Sequence, residues 1–409
     1  MGIRDSGRLA GNQRLLKLIN RARVLSLLDK DGQMSRARLA DNTGLNGKTI
    51  TNVVNALLKE GMVRPVGFYA STGGRPSEML MLRGEYATAV GLDIGGSHVL
   101  AIKMDFRAQP LARIEEPVAP GEGRERILAK VDRVLEEMIE KRAAPRERCL
   151  GLGVAVPGVV DRERGMSVWW ANVDGWRDLP LATTLRKRFQ VEVDLEEATR
   201  TAACGEVAFG AAKGLQYFVY LDLSFGIGCA IGGENGLYKG FRGLSGEVGH
   251  TSVAPDGRPC RCGRNGCLEA EASGLAIAAK AREAVEAGKA PSLAALGDPL
   301  RLTAADVARA AMEGDGFSKG LLAEAGRYLG TAAANLVNLL NPQALVIGGG
   351  LVKAGELLLA PFRESLHEHC LPSSGEGLEV RTGALGDDAG ALGAANLLRQ
   401  RSFEVAGVD

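Results

Sequence analysis

Residues 87–105 read Ala87-Thr88-Ala89-Val90-Gly91-Leu92-Asp93-Ile94-Gly95-Gly96-Ser97-His98-Val99-Leu100-Ala101-Ile102-Lys103-Met104-Asp105. Two apolar runs flank a two-glycine turn, the pattern of strand, tight turn and strand. An aspartate at a strand end beside glycines can sit near phosphate and metal, because glycine lets backbone amides approach an anion. Alone the signal is weak, since any hairpin can carry Gly-Gly. The same layout returns at 217–231, so two similar lobes around a cleft are expected. Further strands fit 150–155, 191–195 and 344–348. Helices fit 123–141, 181–189, 199–209, 272–285 and 319–340. That alternation argues an α/β body with largely buried sheets. Residues 286–303, rich in Ala, Pro and Gly, read as a surface loop of the second lobe.

The chain has 409 residues, 45% hydrophobic and 24% charged. This is the mix of a globular protein and excludes disorder and collagen-like repeats. Its length implies two or three domains. The net charge of +1 is unevenly spread. Residues 1–86 hold 14 Lys and Arg against 7 Asp and Glu, which leaves the rest of the chain net negative. A basic head on an acidic body suggests a DNA-binding module joined to something else. No apolar run reaches the ~18 residues of a membrane span. No signal-peptide core opens the chain, so a cytoplasmic protein without membrane contact is expected.

In the head, Leu15, Leu16, Ile19, Leu27 and Leu28 fall at near-helical spacing over 12–29. Ser35 can cap a short second helix. Gly44 can make the following turn, and Asn46 can cap a third helix with Ile50, Val53, Val54 and Leu57 on one stripe. Apolar stretches at 62–69 and 79–83 flank Ser71-Thr72-Gly73-Gly74-Arg75-Pro76 and read as a hairpin. Together these predict a winged helix-turn-helix over 1–86. Its third helix would offer Lys48, Thr49, Thr51, Asn52 and Asn55 to a major groove. Arg36 and Arg38 would meet phosphates, and Arg75 would enter a minor groove of double-stranded DNA. The alternative is a helical protein-interaction module with a solvated basic face.

The strongest chemical signal is His250 followed by Cys260-Arg261-Cys262-Gly263-Arg264-Asn265-Gly266-Cys267. Three of the seven cysteines crowd into eight residues. Three thiolates and an imidazole suit tetrahedral Zn²⁺, and with all four places filled by protein the site would be structural, one ion per chain. Free thiols are the alternative. Glu247 and Glu269 flank the loop and could accept hydrogen bonds from sugar hydroxyls; unlinked surface acids are the plainer reading.

At this point the chain resembles the ROK family, which comprises bacterial repressors, open reading frames and sugar kinases. The resemblance rests on Asp93-Ile94-Gly95-Gly96-Ser97, Val156-Pro157-Gly158-Val159-Val160-Asp161, Gly243 to His250, Cys260 to Glu269, Asn341-Pro342 through Gly350, and Leu385 to Ala391. It implies an actin-like (ribonuclease H-like) body of two lobes around a ligand cleft. The first lobe would span 87–200, completed by about 386–409, and the second 201–385. It implies zinc on His250, Cys260, Cys262 and Cys267, and sugar contacts from Glu247, His250 and Glu269. Asp93, Gly95, Gly96 and Ser97 would be the remnant of a phosphate loop.

Three departures bear on activity. Family kinases carry Glu-Asn-Asp-Ala-Asn, whose Asp takes the sugar hydroxyl's proton. Here the stretch is Glu196-Glu197-Ala198-Thr199-Arg200, with Ala198 at the Asp and Glu197 and Arg200 at the asparagines, facing the ligand. The second phosphate loop, Gly-Thr-Gly in kinases, is Ser224-Phe225-Gly226, and His98 stands where a lysine is usual. The resemblance therefore implies a transcriptional regulator, a repressor of carbohydrate-utilisation genes. It would act as a homodimer or tetramer, with a catalytically dead body sensing a small molecule, a sugar. An active ATP-dependent sugar kinase is the alternative.

Overall fold

The computed structural model describes residues 6–69, 77–141 and 148–404. The wing tip, with Arg75, lies outside the described residues.

Helix Ser6–Asp31 opens the head and stops at Gly32, whose φ of 80° favours glycine. Ser35 caps helix Arg36–Thr43 by accepting from the Arg38 amide. Gly44 makes the left-handed turn at φ 69°. Asn46 caps helix Gly47–Glu60 by accepting from the Thr49 amide. The strands Val63–Tyr69 and Ser77–Leu82 form the hairpin, and a short strand Gln33–Ser35 adds to its second strand. That third strand is not visible in the sequence, because three residues carry no period. The head's core joins Leu25, Leu28, Ile50, Val54 and Leu57 to Phe106 and Phe403 of the body, so its apolar packing continues past residue 86.

The body carries two five-stranded sheets. The first places Val193–Glu197, Cys149–Val156, Thr88–Ile94, His98–Asp105 and Pro110–Pro117 side by side. The second places Glu379–Thr382, Ala344–Gly348, Phe218–Leu223, Ile227–Gly233 and Gly236–Tyr238 side by side. In each, three antiparallel strands lead into two parallel ones. The strand order is therefore the same in both lobes, as the repeated strand–turn–strand pattern requires. The C-terminal helix Ala389–Arg401 packs on the first sheet. A Cβ at Gly91 would lie 1.9 Å from the Ala391 carbonyl oxygen, and one at Gly153 would lie 2.2 Å from that of Ala394. Glycine at these two strand positions is what lets the helix backbone touch the sheet.

Residues 286–303 are not a plain loop. They include helix Pro291–Ala294 and a 3₁₀ turn Pro299–Arg301. Ala290, Leu293 and Leu302 are buried in the second lobe's core. Three apolar anchors hold the segment down, and its Ala/Pro/Gly composition masked them. Among the described residues no helix is long and apolar enough to cross a membrane.

Candidate functional site

The third helix of the head buries Ile50, Val54 and Leu57. Its 3.6-residue period then turns Lys48, Thr51, Asn52 and Asn55 outward, with Thr49 half-buried. Arg38 is exposed on the second helix. Arg36, expected to meet phosphates, makes contacts within the head. Its Nη1 donates to Glu78 Oε2 at 2.8 Å and its Nη2 to Asn55 Oδ1 at 3.2 Å. Glu78 lies on the wing, so Arg36 braces the wing against the two helices and occupies the Asn55 carbonyl.

In the body, a cleft of about 230 Å³ opens between the lobes. Asp93, Gly95, Gly96, Ser97 and His98 enter from the first hairpin, and Asp222 and residues 224–228 from the second. Glu197 to Arg200 line it at the start of helix Ala198–Phe209, and Glu247, His250 and Glu269 from the cysteine-rich loop. The structure thus brings together every residue expected of the ligand site. Glu269 Oε2 accepts from the Ile227 amide at 3.0 Å, which ties the loop to the second hairpin.

The first glycine turn is crowded. The ring of Phe225 packs on Gly96, where an added Cβ would lie 2.7 Å from the ring. A triphosphate cradled by both glycine turns would need that space. His98 Nε2 lies 3.5 Å from Asp93 Oδ2. Burial works against the imidazolium, but the neighbouring Asp93 carboxylate, with the charges of Asp387 and Glu115, outweighs it and raises the His98 pKa. Burial pushes Asp222 up to about 6, with the Asp93 charge adding to it against a hydrogen bond from Ser224.

At the start of helix Ala198–Phe209, Ala198 presents only a methyl group. Glu197 caps its helix, accepting from the Thr199 amide at 2.8 Å and the Arg200 amide at 3.0 Å. Arg200 is buried, with Nε on Glu196 Oε1 at 2.9 Å. Burial pushes Glu197 up to about 7, against the Arg200 charge and those amides. An acid whose folded pKa exceeds its ordinary 4.5 binds its proton more tightly in the folded state. Stability from this group is therefore lost as pH rises from about 4.5 through 7. The melting temperature is expected to fall between about pH 5 and 7, and less steeply in Glu197→Gln. Equal slopes in the two proteins would contradict this.

The cysteine-rich loop is closed by bridges between Ser252 and Cys267 and between Pro259 and Asn265. Candidate ligand atoms of His250, Cys260, Cys262 and Cys267 all lie within 4.8 Å of one another. Cys260 Sγ is 3.7 Å from His250 Nδ1, and Cys262 Sγ is 3.6 Å from Cys267 Sγ. Zinc–sulfur bonds of about 2.3 Å at tetrahedral angles put sulfurs roughly 3.8 Å apart, so the donor set fits that ion. The Gly266 backbone, at φ 65°, turns beside Ala254, where a Cβ would lie 1.5 Å from the carbonyl oxygen.

Two contributions escaped the sequence reading. A small sheet of Val159–Asp161, Met166–Trp169 and Arg177–Leu179 brings Trp169, Trp170 and Asn172 to the cleft. Arg261, between two of the cysteines, donates across the cleft to the Ala171 carbonyl at 3.0 Å. The run Trp169-Trp170-Ala171-Asn172 was the available signal.

A winged helix-turn-helix DNA-binding model matches residues 18–64, and the ROK family model matches residues 89–401. The chain belongs to the ROK family. Among its relatives, the xylose repressor of Caldicellulosiruptor bescii is 29% identical over 383 residues, covering 94% of this chain and 96% of its own. The glucokinase of Halalkalibacterium halodurans is 34% identical over 314 residues, covering 76% of this chain and 95% of its own. Among solved structures, a ROK family transcriptional regulator, a homolog of the E. coli MLC protein, superposes with a TM-score of 0.79 at 26% identity. That match covers 95% of this chain and 96% of the regulator. Both regulators and kinases of the family are thus similar to this chain, and the kinase match leaves out part of it.

Proposed function

We propose that the protein is a DNA-binding transcriptional regulator, a repressor of carbohydrate-utilisation genes. Its ROK body senses a small molecule, a sugar, and transfers no phosphate. One observation carries this reading: the third helix of the head buries Ile50, Val54 and Leu57 and turns Lys48, Thr51 and Asn52 outward beside the wing. Lys48, Thr49, Thr51, Asn52 and Asn55 are the proposed groove residues, Arg36 and Arg38 the proposed backbone contacts, and Arg75 the proposed minor-groove contact. Glu247, His250, Glu269, Glu197 and Arg200 are the proposed effector residues. A structural zinc on His250, Cys260, Cys262 and Cys267 would hold Glu269 in place. Two heads in a homodimer or tetramer would read a two-fold operator, because protein symmetry is mirrored in half-site symmetry. A sugar that binds one lobe arrangement better than the other would shift the pair of heads, with a coupling of typically ~1–3 kcal/mol.

The likeness to a glucokinase favours a second reading, an ATP-dependent sugar kinase. Ala198 and Phe225 speak against it.

The test is selection of operator fragments from a random-sequence duplex pool by the full chain, followed by titration. Wild type should select a two-fold repeat, and affinity should fall steeply with salt as counterions leave the phosphates. Asn52→Ala should lose about 1–3 kcal/mol of discrimination at its base position. Arg38→Ala should weaken all sequences alike. No sequence preference in wild type would refute the reading.

A further inference from the structure

Helix Ala389–Arg401 joins the two regions that regulation has to connect. At its start, Arg113 Nε of the first lobe donates to Asp388 Oδ1 at 2.7 Å. Lys353 Nζ of the second lobe donates to Asp387 Oδ2 at 2.8 Å. Gly390 lies against the cleft residue Asp93, where a Cβ would be 2.3 Å from Oδ2. The helix therefore begins at the cleft with one ion pair to each lobe. Its middle is pressed onto Gly91 and Gly153 of the first sheet.

Its last turn holds the head. Arg399 is 2% exposed. Its Nη1 and Nη2 donate to the two oxygens of Asp29, at 2.7 and 2.8 Å, and Asp29 lies on the first helix of the head. Nη1 also reaches the Phe106 carbonyl at 3.2 Å. Nε and Nη2 reach Asn396 Oδ1 at 3.1 and 2.7 Å. All five guanidinium donors are thus engaged. Phe403 lies under the guanidinium at 5.2 Å, and both Phe106 and Phe403 belong to the head's core. A forked, fully donated guanidinium fixes an angle as well as a distance, which an ammonium cannot do. Among the described residues, the other polar contacts between head and body, the Phe106 amide on the Gly84 carbonyl and Arg148 on the Tyr86 hydroxyl, lie at the connecting segment, whereas Asp29 lies on the head's first helix.

We propose that Arg399, through Asp29, is the positioning residue that sets the angle of the DNA-reading head on the body. It would thereby set the half-site spacing that a two-headed assembly accepts. The proposal rests on the DNA-binding reading above. The pair is largely buried at the junction of head and body, so it should leave the affinity of one head for one half-site unchanged.

The experiment uses the full chain and the selected operator, with the half-sites moved apart or together by one or two base pairs and by half a helical turn. Wild type should prefer one spacing by about tenfold or more. Asp29→Asn and Arg399→Lys should bind all spacings within about threefold, with unchanged half-site affinity. Asp29→Asn alters the more accessible partner, so it carries the test if Arg399→Lys fails to fold; thermal unfolding and metal content check both. A variant that keeps the wild-type spacing preference overturns the proposal. Wild type that binds the operator selectively but ignores spacing overturns it too, while leaving the function standing. Wild type with no sequence preference removes both.

Discussion

Cys262→Ser is expected to purify without a full complement of zinc and to melt well below the wild type. Cys262 and Cys267 sit 3.6 Å apart at one side of the cluster. Replacing one thiolate leaves three donors for a site that otherwise fills all four tetrahedral places. Four-donor zinc sites are worth about 10–16 kcal/mol in small peptides that fold only around the metal. Here the loop is also anchored by Val248 and Leu268 in the second lobe's core. A loss on the order of 3–5 kcal/mol is therefore expected. Response to sugar should fall with it, because Glu269 follows Cys267 by two residues and is placed by the same loop. Elemental analysis and calorimetry check the first effect, and a sugar thermal-shift series the second. A zinc-free wild type with an intact fold would contradict the metal assignment. A Cys262→Ser protein with wild-type sugar response would break the proposed link between loop and cleft.

Sugar-dependent ATP consumption is expected to stay at background across a broad panel of sugars. Phosphoryl transfer needs an aligned acceptor oxygen and a cradled triphosphate. Ala198 cannot take or orient a hydroxyl proton, and loss of a general base costs typically ~10²–10⁴-fold. Glu197 stands one residue earlier, with its carboxylate turned onto the Thr199 and Arg200 amides as the helix cap, so it is not expected to take the place of a base at position 198. Phe225 lies on Gly96, so its ring would also stand against a triphosphate bound between the two glycine turns. Ala198→Asp alone should therefore stay inactive, and only its combination with Phe225→Thr removes both obstacles. Coupled ADP-release assays check this. Wild-type turnover that Asp93→Ala abolishes would promote the kinase reading.

The readable parts of this chain were those whose cause is local. Ser35, Gly44 and Asn46 each cap or turn within four residues, and all three do so in the structure. The paired strand–turn–strand runs made the doubled body legible, because apolar strands buried on both faces carry unbroken apolar sequence. The helix Glu356–His369 was not legible. Pro361 stands in its interior and reads as a breaker, yet the helix forms because it lies against Gly316–Leu340. Gly326 and Gly330 there admit the Leu358 and Phe362 carbonyls, where Cβ atoms would lie 2.5 and 2.3 Å away. Such packing depends on residues some thirty positions apart. The same holds for Arg36, whose pairing with Glu78 joins residues 42 positions apart. In the cleft, residue types announced the chemistry, whereas the seating of Phe225 on Gly96 and the reach of Arg261 to Ala171 needed the folded lobes.

The most direct measurement is a fluorescence-anisotropy titration of the selected operator with the full chain, repeated at saturating xylose, glucose and N-acetylglucosamine. One sugar should weaken operator binding by about 5–150-fold, and saturating operator should weaken binding of that sugar by the same factor, as linkage requires. Operator binding that no sugar in a broad panel changes, together with sugar binding that operator leaves untouched, would contradict a DNA-reading head governed by a sugar-sensing body.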